Sequence, residues 1–241
     1  MRTGHAYNGH MKISVVIPAR NEDRMIDACL KALEDQTVSA AEIIIVDNNS
    51  TDDTARRALK HPGVVVIAEP RLGISYGRNA GFDRATGDII ARIDADTVVT
   101  PGWIAEITRY FEGHESVVAI TGPASFYDVP RRWRGLVDWL FIDSFYWITR
   151  RSTGGETLFG SNCAVRRLAW EKIRSEVCMD DANMHEDIDL GQHVQRVGLI
   201  AFDDDLRVGI SARPLLHPRG MVKRWRKGLN NFSRHRAKAG V

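Results

Sequence analysis

The sequence predicts an α/β domain built on a mostly parallel, doubly wound sheet flanked by helices. Four apolar runs rich in β-branched residues, 12–17, 42–46, 64–68 and 89–93, are each followed by a helical pattern. The runs are continuous rather than alternating, as expected of strands buried on both faces. Three polar clusters, 18–22, 47–50 and 94–96, follow three of these runs. That places them at the carboxyl edge of the sheet, where folds of this class bind their ligands.

The elements follow in order. Residues 12–17 (Lys-Ile-Ser-Val-Val-Ile) form a buried strand stopped by Pro18. Asn21-Glu22-Asp23 opens a helix with Met25, Ile26, Cys29, Leu30 and Leu33 on one face. A second strand, 42–46, ends in a polar run in which Ser50 or Thr51 caps a short helix through Leu59. After the third strand, residues 73–86 carry Gly73, Gly77 and Gly81 but end as a helix packed by Ala80, Phe82 and Ala85. The fourth strand runs into Asp94-Ala95-Asp96, and Thr100 and Pro101 start the next helix. Residues 117–122 read as a strand. Residues 133–149 are dense in aromatics and flanked by Arg131, Arg132, Arg134, Arg150 and Arg151. They predict one amphipathic helix of about four turns. Such a helix packs on the sheet, or its tryptophans and arginines meet a membrane interface or a lipid acceptor. Residues 159–167 form a short strand leading into a helix at 168–173. His185-Glu186-Asp187 opens a last helix, with Ile188, Leu190, Val194 and Val197 inward and Gly198 as its stop.

Length and composition fit this picture. A chain of 241 residues, 44% apolar and 27% charged, is an ordinary globular protein with room for a sizeable core. Its net charge is only +2, but no Asp or Glu follows Asp205 while ten Lys or Arg do. Removing those ten from the 33 basic residues leaves 23 against 31 acidic ones in the body. A basic tail on an acidic body points to phosphates or anionic lipid as a neighbour, and no nucleic-acid module accompanies the charge. Cys29, Cys163 and Cys178 lack metal-ligand spacing and read as reduced thiols, which favours a cytoplasmic setting. Residues 1–10 are polar and without an apolar core, so they read as a disordered extension rather than a signal peptide. No run approaches the ~20 apolar residues of a spanning helix.

Two clusters carry chemistry. Asp94 and Asp96 are spaced to face the same side of a strand end, which makes a hard-oxygen site suited to Mg²⁺ or Mn²⁺. Alone, the pair is equally an Asp-rich turn. Glu186 and Asp187 fall in a first helical turn, where the helix dipole and free backbone donors favour the charged carboxylate that a general base needs. A capping acid enjoys the same surroundings.

Five segments in order then spell a family. Val-Val-Ile-Pro-Ala-Arg-Asn-Glu (15–22), Ile-Val-Asp-Asn-Asn-Ser-Thr-Asp (45–52), Gly-Arg-Asn-Ala-Gly (77–81), Asp-Ala-Asp (94–96) and Glu-Asp-Ile-Asp-Leu (186–190) together resemble glycosyltransferase family 2, inverting enzymes of the GT-A fold. The resemblance covers about residues 12–198. It implies that residues 11–115 form a nucleotide-sugar half and residues 116–213 an acceptor half of one domain, with residues 214–241 a basic tail or lid. Pro18, Ala19, Arg20, Glu22, Asp47, Asn48, Arg78 and Asp94 would then line the nucleotide site. Asp96 would hold Mn²⁺ or Mg²⁺, with Asp94 sharing it and His217 a weaker candidate. Asp187 would be the catalytic base, with Glu186 positioning the acceptor. Gly160, Ser161 and Asn162 would wall the sugar, and Arg224 and Trp225 would approach the acceptor from the tail. One position departs from the pattern. Many members carry a second aspartate where this chain has Asn48, and an amide both donates and accepts where a carboxylate only accepts. UDP is the leading donor nucleotide on this reading, with GDP and dTDP open.

The implied activity is metal-dependent transfer of a hexose from a nucleotide sugar to an acceptor hydroxyl, in cell-surface glycan or glycolipid synthesis. The acceptor is a saccharide, a small molecule or a lipid-linked species, the last with peripheral contact at the inner face of the membrane. A nucleotidyltransferase would want a Gly-rich phosphate loop after the first strand, and Pro-Ala-Arg-Asn-Glu is none. A dehydrogenase would want Gly-x-Gly-x-x-Gly at the same place. A catalytically silent nucleotide-sugar-binding protein would have no need of Asp187.

Overall fold

The computed structural model describes residues 11–177, 179, 184–216 and 226–227. Expectations placed on residues 1–10, Cys178, His217, Arg224 and Trp225 fall outside them. The first half alternates strictly: β1 (Ile13–Ala19), α1 (Ile26–Glu34), β2 (Glu42–Asp47), α2 (Thr54–Ala58), β3 (Val64–Ala68), α3 (Ile74–Arg84) and β4 (Ile89–Arg92). The second half runs β5 (Val98–Val99), α4 (Trp103–Gly113), β6 (Val117–Thr121), β7 (Ala124–Phe126), α5 (Arg131–Asp138), a π-helical turn (Trp139–Asp143) and α6 (Ser144–Thr153). It closes with β8 (Cys163–Arg166), α7 (Arg167–Ile173), α8 (Glu186–Gln195), β9 (Leu199–Phe202), β10 (Val208–Ile210) and a 3-10 turn (Arg213–Leu216).

Seven strands form the central sheet in the order β3-β2-β1-β4-β8-β6-β9. The pairs β2–β3, β1–β2, β1–β4 and β6–β9 are parallel, and β8 alone runs against its neighbours β4 and β6. The fold class read from the sequence is therefore the one adopted. Apolar side chains pack on both faces. On one, Ile17, Ile45, Ile89 and Ile93 meet α1 and α4; on the other, Val16, Val46, Ile90 and Val165 meet Phe82 of α3 and Trp170 of α7. Gly81 is what lets α3 lie so close. A Cβ there would sit 2.3 Å from Val16 Cγ1 and 2.9 Å from Val46 Cγ2. That close approach sets Arg78, one turn earlier, beneath the carboxyl edge.

Several boundaries differ from expectation for physical reasons. Pro18 does not stop β1, which continues to Ala19. Its pairing with β4 ends at Val16, so beyond that point β1 has a neighbour on one side only and a missing N–H there leaves no ladder bond unmade. The fourth strand ends at Arg92, and Asp94 to Asp96 lie on a turn in which Thr97 N donates to Asp94 O. The helix expected over 133–149 is longer, Arg131 to Thr153, and is broken by the π turn. A second, three-stranded sheet, β5-β10-β7, pairs segments more than eighty positions apart and has no counterpart in the sequence reading.

Candidate active site

Two backbone crossings shape the carboxyl edge. Asn21 and Asn49 both adopt the left-handed conformation (φ 55° and 62°), which asparagine tolerates better than most residues. The loops they turn are tied together. Ser50 Oγ accepts from Asn21 N, Asn21 Oδ1 from Thr51 N, and Thr54 Oγ1 from Glu22 N at 2.8 Å. Pro18 and Ala19 are buried beneath this corner and Arg20 is exposed on it. Half-buried Asp47 accepts from Ser50 N through Oδ1, within its own loop. Asn48, in the position where the family pattern carries an aspartate, spends its amide on the β3–α3 loop. It donates to Glu69 O (3.0 Å) and Arg71 O (2.7 Å) and accepts from Gly73 N (2.9 Å).

The centre is an arginine that sequence reasoning passed over. Arg92 closes β4 with 1% of its side chain exposed, and its guanidinium meets three carboxylates. Asp187 Oδ1 and Glu186 Oε1 lie at 2.6 Å each, and Asp94 Oδ1 at 3.1 Å. Burial alone would lower its pKa, but Glu186, Asp187 and Asp94 outweigh that and raise it well above the usual value. Arg78, fully buried in α3, takes the other side of Glu186, donating to Oε2 at 2.8 Å and to its backbone carbonyl at 3.0 Å. Burial pushes the Glu186 carboxyl up, while the two arginines oppose the shift. The signal was present in the sequence. A charged residue inside a buried strand must have counter-charges, because an unpaired buried guanidinium is prohibitively costly.

This network joins the clusters. Asp94 uses its second oxygen to accept from Ser161 Oγ at 2.5 Å. Gly160 fits between Arg92 and Asp187, where a Cβ would fall 2.4 Å from Arg92 Nη1 and from Asp187 Oδ1. Gly160→Ala should therefore push the pair apart, costing about 1–3 kcal/mol of stability as overpacking does. Thermal unfolding together with turnover would register it, and an unchanged Tm would remove the steric claim. Asn162 is buried and structural in its contacts. It accepts from Trp103 Nε1 and donates to Leu206 O and Pro123 O.

Asp96 stands apart on the far side of the turn. Its Oδ2 lies 3.0 Å from Arg213 Nη2, which also meets Glu22 Oε2 at 2.7 Å. Burial, then the charge of Asp94, raises the Asp96 pKa; burial also raises that of Glu22 against the pull of Arg213. The carboxylate expected to hold a metal is thus paired with a guanidinium in this structure. Arg213 is the last residue of the stretch read as the acceptor half, and the sequence reading gives it no role at Asp96. A second acidic group, Glu106, Asp203 and Asp205, clusters elsewhere, with Arg109 already paired to Glu106.

A mostly parallel seven-stranded sheet with one reversed strand, flanked by helices, is the GT-A fold. The sequence pattern described as Glycosyl transferase family 2 matches residues 14–174, and the chain belongs to that family. It is 41% identical over 90 residues to an uncharacterized glycosyltransferase of Mycobacterium tuberculosis, a match spanning 37% of this chain and 39% of that one. The chain thus spans about two fifths of the length of the curated relatives it matches first. Among solved structures, a mannosyltransferase of Pyrobaculum calidifontis in complex with GDP-Man and Mn²⁺ superposes with a TM-score of 0.73 at 19% identity. That superposition covers 95% of this chain and 65% of the other. Glucosyl-3-phosphoglycerate synthase of Mycobacterium tuberculosis, in complex with Mn²⁺, UDP and glucosyl-3-phosphoglycerate, gives 0.63 at 22% identity, covering 89% and 76%.

Proposed function

We propose that this chain moves a hexose from a nucleoside-diphosphate sugar to an acceptor hydroxyl with inversion, using a divalent metal. A UDP-sugar is the first choice of donor and a GDP-sugar the second. The observation that carries the reading is the Arg92 network. It brings Asp187 and Glu186, at the start of α8, to the turn that bears Asp94 and Asp96.

In this reading Asp96 holds Mn²⁺ or Mg²⁺ with Glu22 beside it, and Asp94 keeps to Arg92 and Ser161. When bound, the metal supplies Lewis-acid stabilisation of the departing diphosphate. The residues of the chain do the rest. The corner formed by Pro18, Ala19, Arg20, Asp47 and Asn48 receives the nucleoside, with Asn48 fixing the β3–α3 loop that would close over the base. Arg78 holds Glu186, and Glu186 orients the acceptor. The acceptor oxygen forms its bond to the anomeric carbon as the bond from that carbon to the diphosphate oxygen breaks. The acceptor proton passes to the Asp187 carboxylate, and the electron pair leaves with the diphosphate. Gly160 and Ser161 line the space between. The roles of His217 at the metal and of Arg224 and Trp225 at the acceptor rest on the family resemblance alone, all three lying outside the described residues. We further read the setting as cytoplasmic, in cell-surface glycan or glycolipid synthesis. Among the described residues no helix is long and apolar enough to cross a membrane.

Thermal shift with UDP-, GDP- and dTDP-sugars, with and without Mn²⁺, tests the donor half. A ligand that binds only the folded protein raises its stability by mass action. A UDP-sugar should stabilise the chain strongly only with Mn²⁺, and Asp96→Asn should weaken that metal-dependent step about tenfold or more, as loss of one partner of a charged contact does. Equal stabilisation without metal, or an unaffected Asp96→Asn variant, would defeat the metal assignment.

A further inference from the structure

The helical stretch from Arg131 to Thr153 buries one face and leaves the other bare. Ile142, Tyr146 and Thr149 point into the protein, and α5 has no buried residue. Facing out are Trp133 (53% exposed), Leu136, Trp139 (61%), Leu140 and Trp147 (70%). The other exposed large apolar residues among those described are scattered along the chain, whereas these five share one stretch of about 20 Å at helical rise. Single exposed apolar residues are normal on a protein surface; a contiguous patch with three tryptophans marks a binding face.

Charge says what covers it. Arg131 and Arg132 open the stretch and Arg150 and Arg151 close it, all exposed. Of these four, Arg150 pairs with Glu156, while Arg131, Arg132 and Arg151 have no ion-pair partner among the described residues. Asp138 is turned inward to Ser125 Oγ and Phe126 N, which leaves Asp143 as the one exposed acid of the stretch. A second copy across a two-fold axis would set unpaired arginines against unpaired arginines. An anionic bilayer satisfies both features, because tryptophan belongs at the headgroup level and arginine at lipid phosphates.

We propose that this face lies in the headgroup layer of an anionic membrane and that the acceptor is drawn from it, carried on a lipid. The acceptor half of the statement rests on the transferase reading above. The inner side of the same helix supports the link. The Phe145 ring packs 5.7 Å from that of Phe159 and 6.0 Å from that of His185. Phe159 precedes Gly160, and His185 precedes Glu186 and Asp187. The stretch that touches lipid on one side therefore touches both segments of the acceptor space on the other, one helix thickness away.

The experiment is co-sedimentation of the full chain with phosphatidylcholine vesicles, alone and with about a third phosphatidylglycerol, at low and high salt. Binding is expected only to the anionic vesicles, weakening with salt, with a blue shift of tryptophan fluorescence. A variant with Trp133→Ser, Trp139→Ser and Trp147→Ser should bind about tenfold or more weakly while keeping its circular dichroism and its metal-dependent donor shift, since all three side chains are exposed. Failure to bind anionic vesicles, or a triple variant that binds as well as the parent, overturns the proposal. A parent dimer that the triple variant dissociates, without vesicle binding, would assign the face to a second copy instead. Vesicle binding without any sugar transfer would sink the transferase reading and leave the surface standing. Transfer to soluble acceptors without vesicle binding would do the reverse.

Discussion

Asp187→Asn should lower kcat about 10²–10⁴-fold, the usual contribution of a general base, with donor affinity unchanged. Asparagine keeps the shape of the side chain and still offers Arg92 an oxygen at the place of Oδ1. It cannot take the proton of an acceptor hydroxyl. The remaining pairs of Arg92, to Glu186 at 2.6 Å and Asp94 at 3.1 Å, keep the guanidinium compensated, so the fold should survive the change. The decisive measurement is single-turnover transfer at saturating donor and Mn²⁺, with donor binding followed separately. Turnover within a few-fold of the parent would move the base elsewhere, and loss of donor binding would recast Asp187 as a binding residue.

Arg92→Met should be the most destabilising single substitution in the site. It removes one cation from between three carboxylates, two of them buried, and breaking a buried pair in this way costs about 3–5 kcal/mol. For a chain of this length that is a fall in Tm on the order of 10 °C. The pH dependence has a definite sign. Burial already raises the Glu186 carboxyl, and without Arg92 nothing but Arg78 opposes it. An acid whose folded pKa lies above its unfolded value favours the fold when protonated, and that advantage is lost as pH rises through the folded pKa. The gap between variant and parent should thus be widest at pH 8 and narrow toward pH 5. Arg92→Lys should fall between the two, since an ammonium keeps the charge but cannot fork to three partners. A methionine variant as stable as the parent at pH 8 would show that the carboxylates do not depend on Arg92.

Much of this was legible because it is local. A β-branched run, a polar turn and an apolar helical face lie within a few residues of one another, so β1 to β4 and α1 to α3 could be read in order. The acidic clusters were legible through the order of the five family segments and not through their positions, since acids in turns and helix starts are common. What escaped depends on contacts between distant segments. Arg92 lies inside the run 89–93 and is given no role by the sequence reading, although an arginine among Ile89, Ile90 and Ala91 demands one. The strands β5, β7 and β10 are two or three residues each and owe their existence to one another. The 131–153 helix carries apolar residues on both its inner and outer faces, so periodicity alone could not say which side meets the core. Asn48 read as a group facing the base, but its amide is engaged by the backbone at 69–73, which only the folded loop reveals.

Arg92 also has a consequence for the order in which the molecule is made. It leaves the ribosome more than ninety residues ahead of Glu186 and Asp187, and Arg78 more than a hundred ahead of Glu186. Until α8 arrives, two guanidinium groups, one on α3 and one on β4, lack most of their counter-charge. The strand beside β4 arrives late as well, because β8 begins only at Cys163. The four βα units at the start are consequently a scaffold that cannot seal its own interior. Closure is a long-range event with a large loop to fix, and the carboxylates proposed for the chemistry are the same ones that complete the fold. A chain that reaches its native state has, by that fact, brought Glu186 and Asp187 to the turn that bears Asp94.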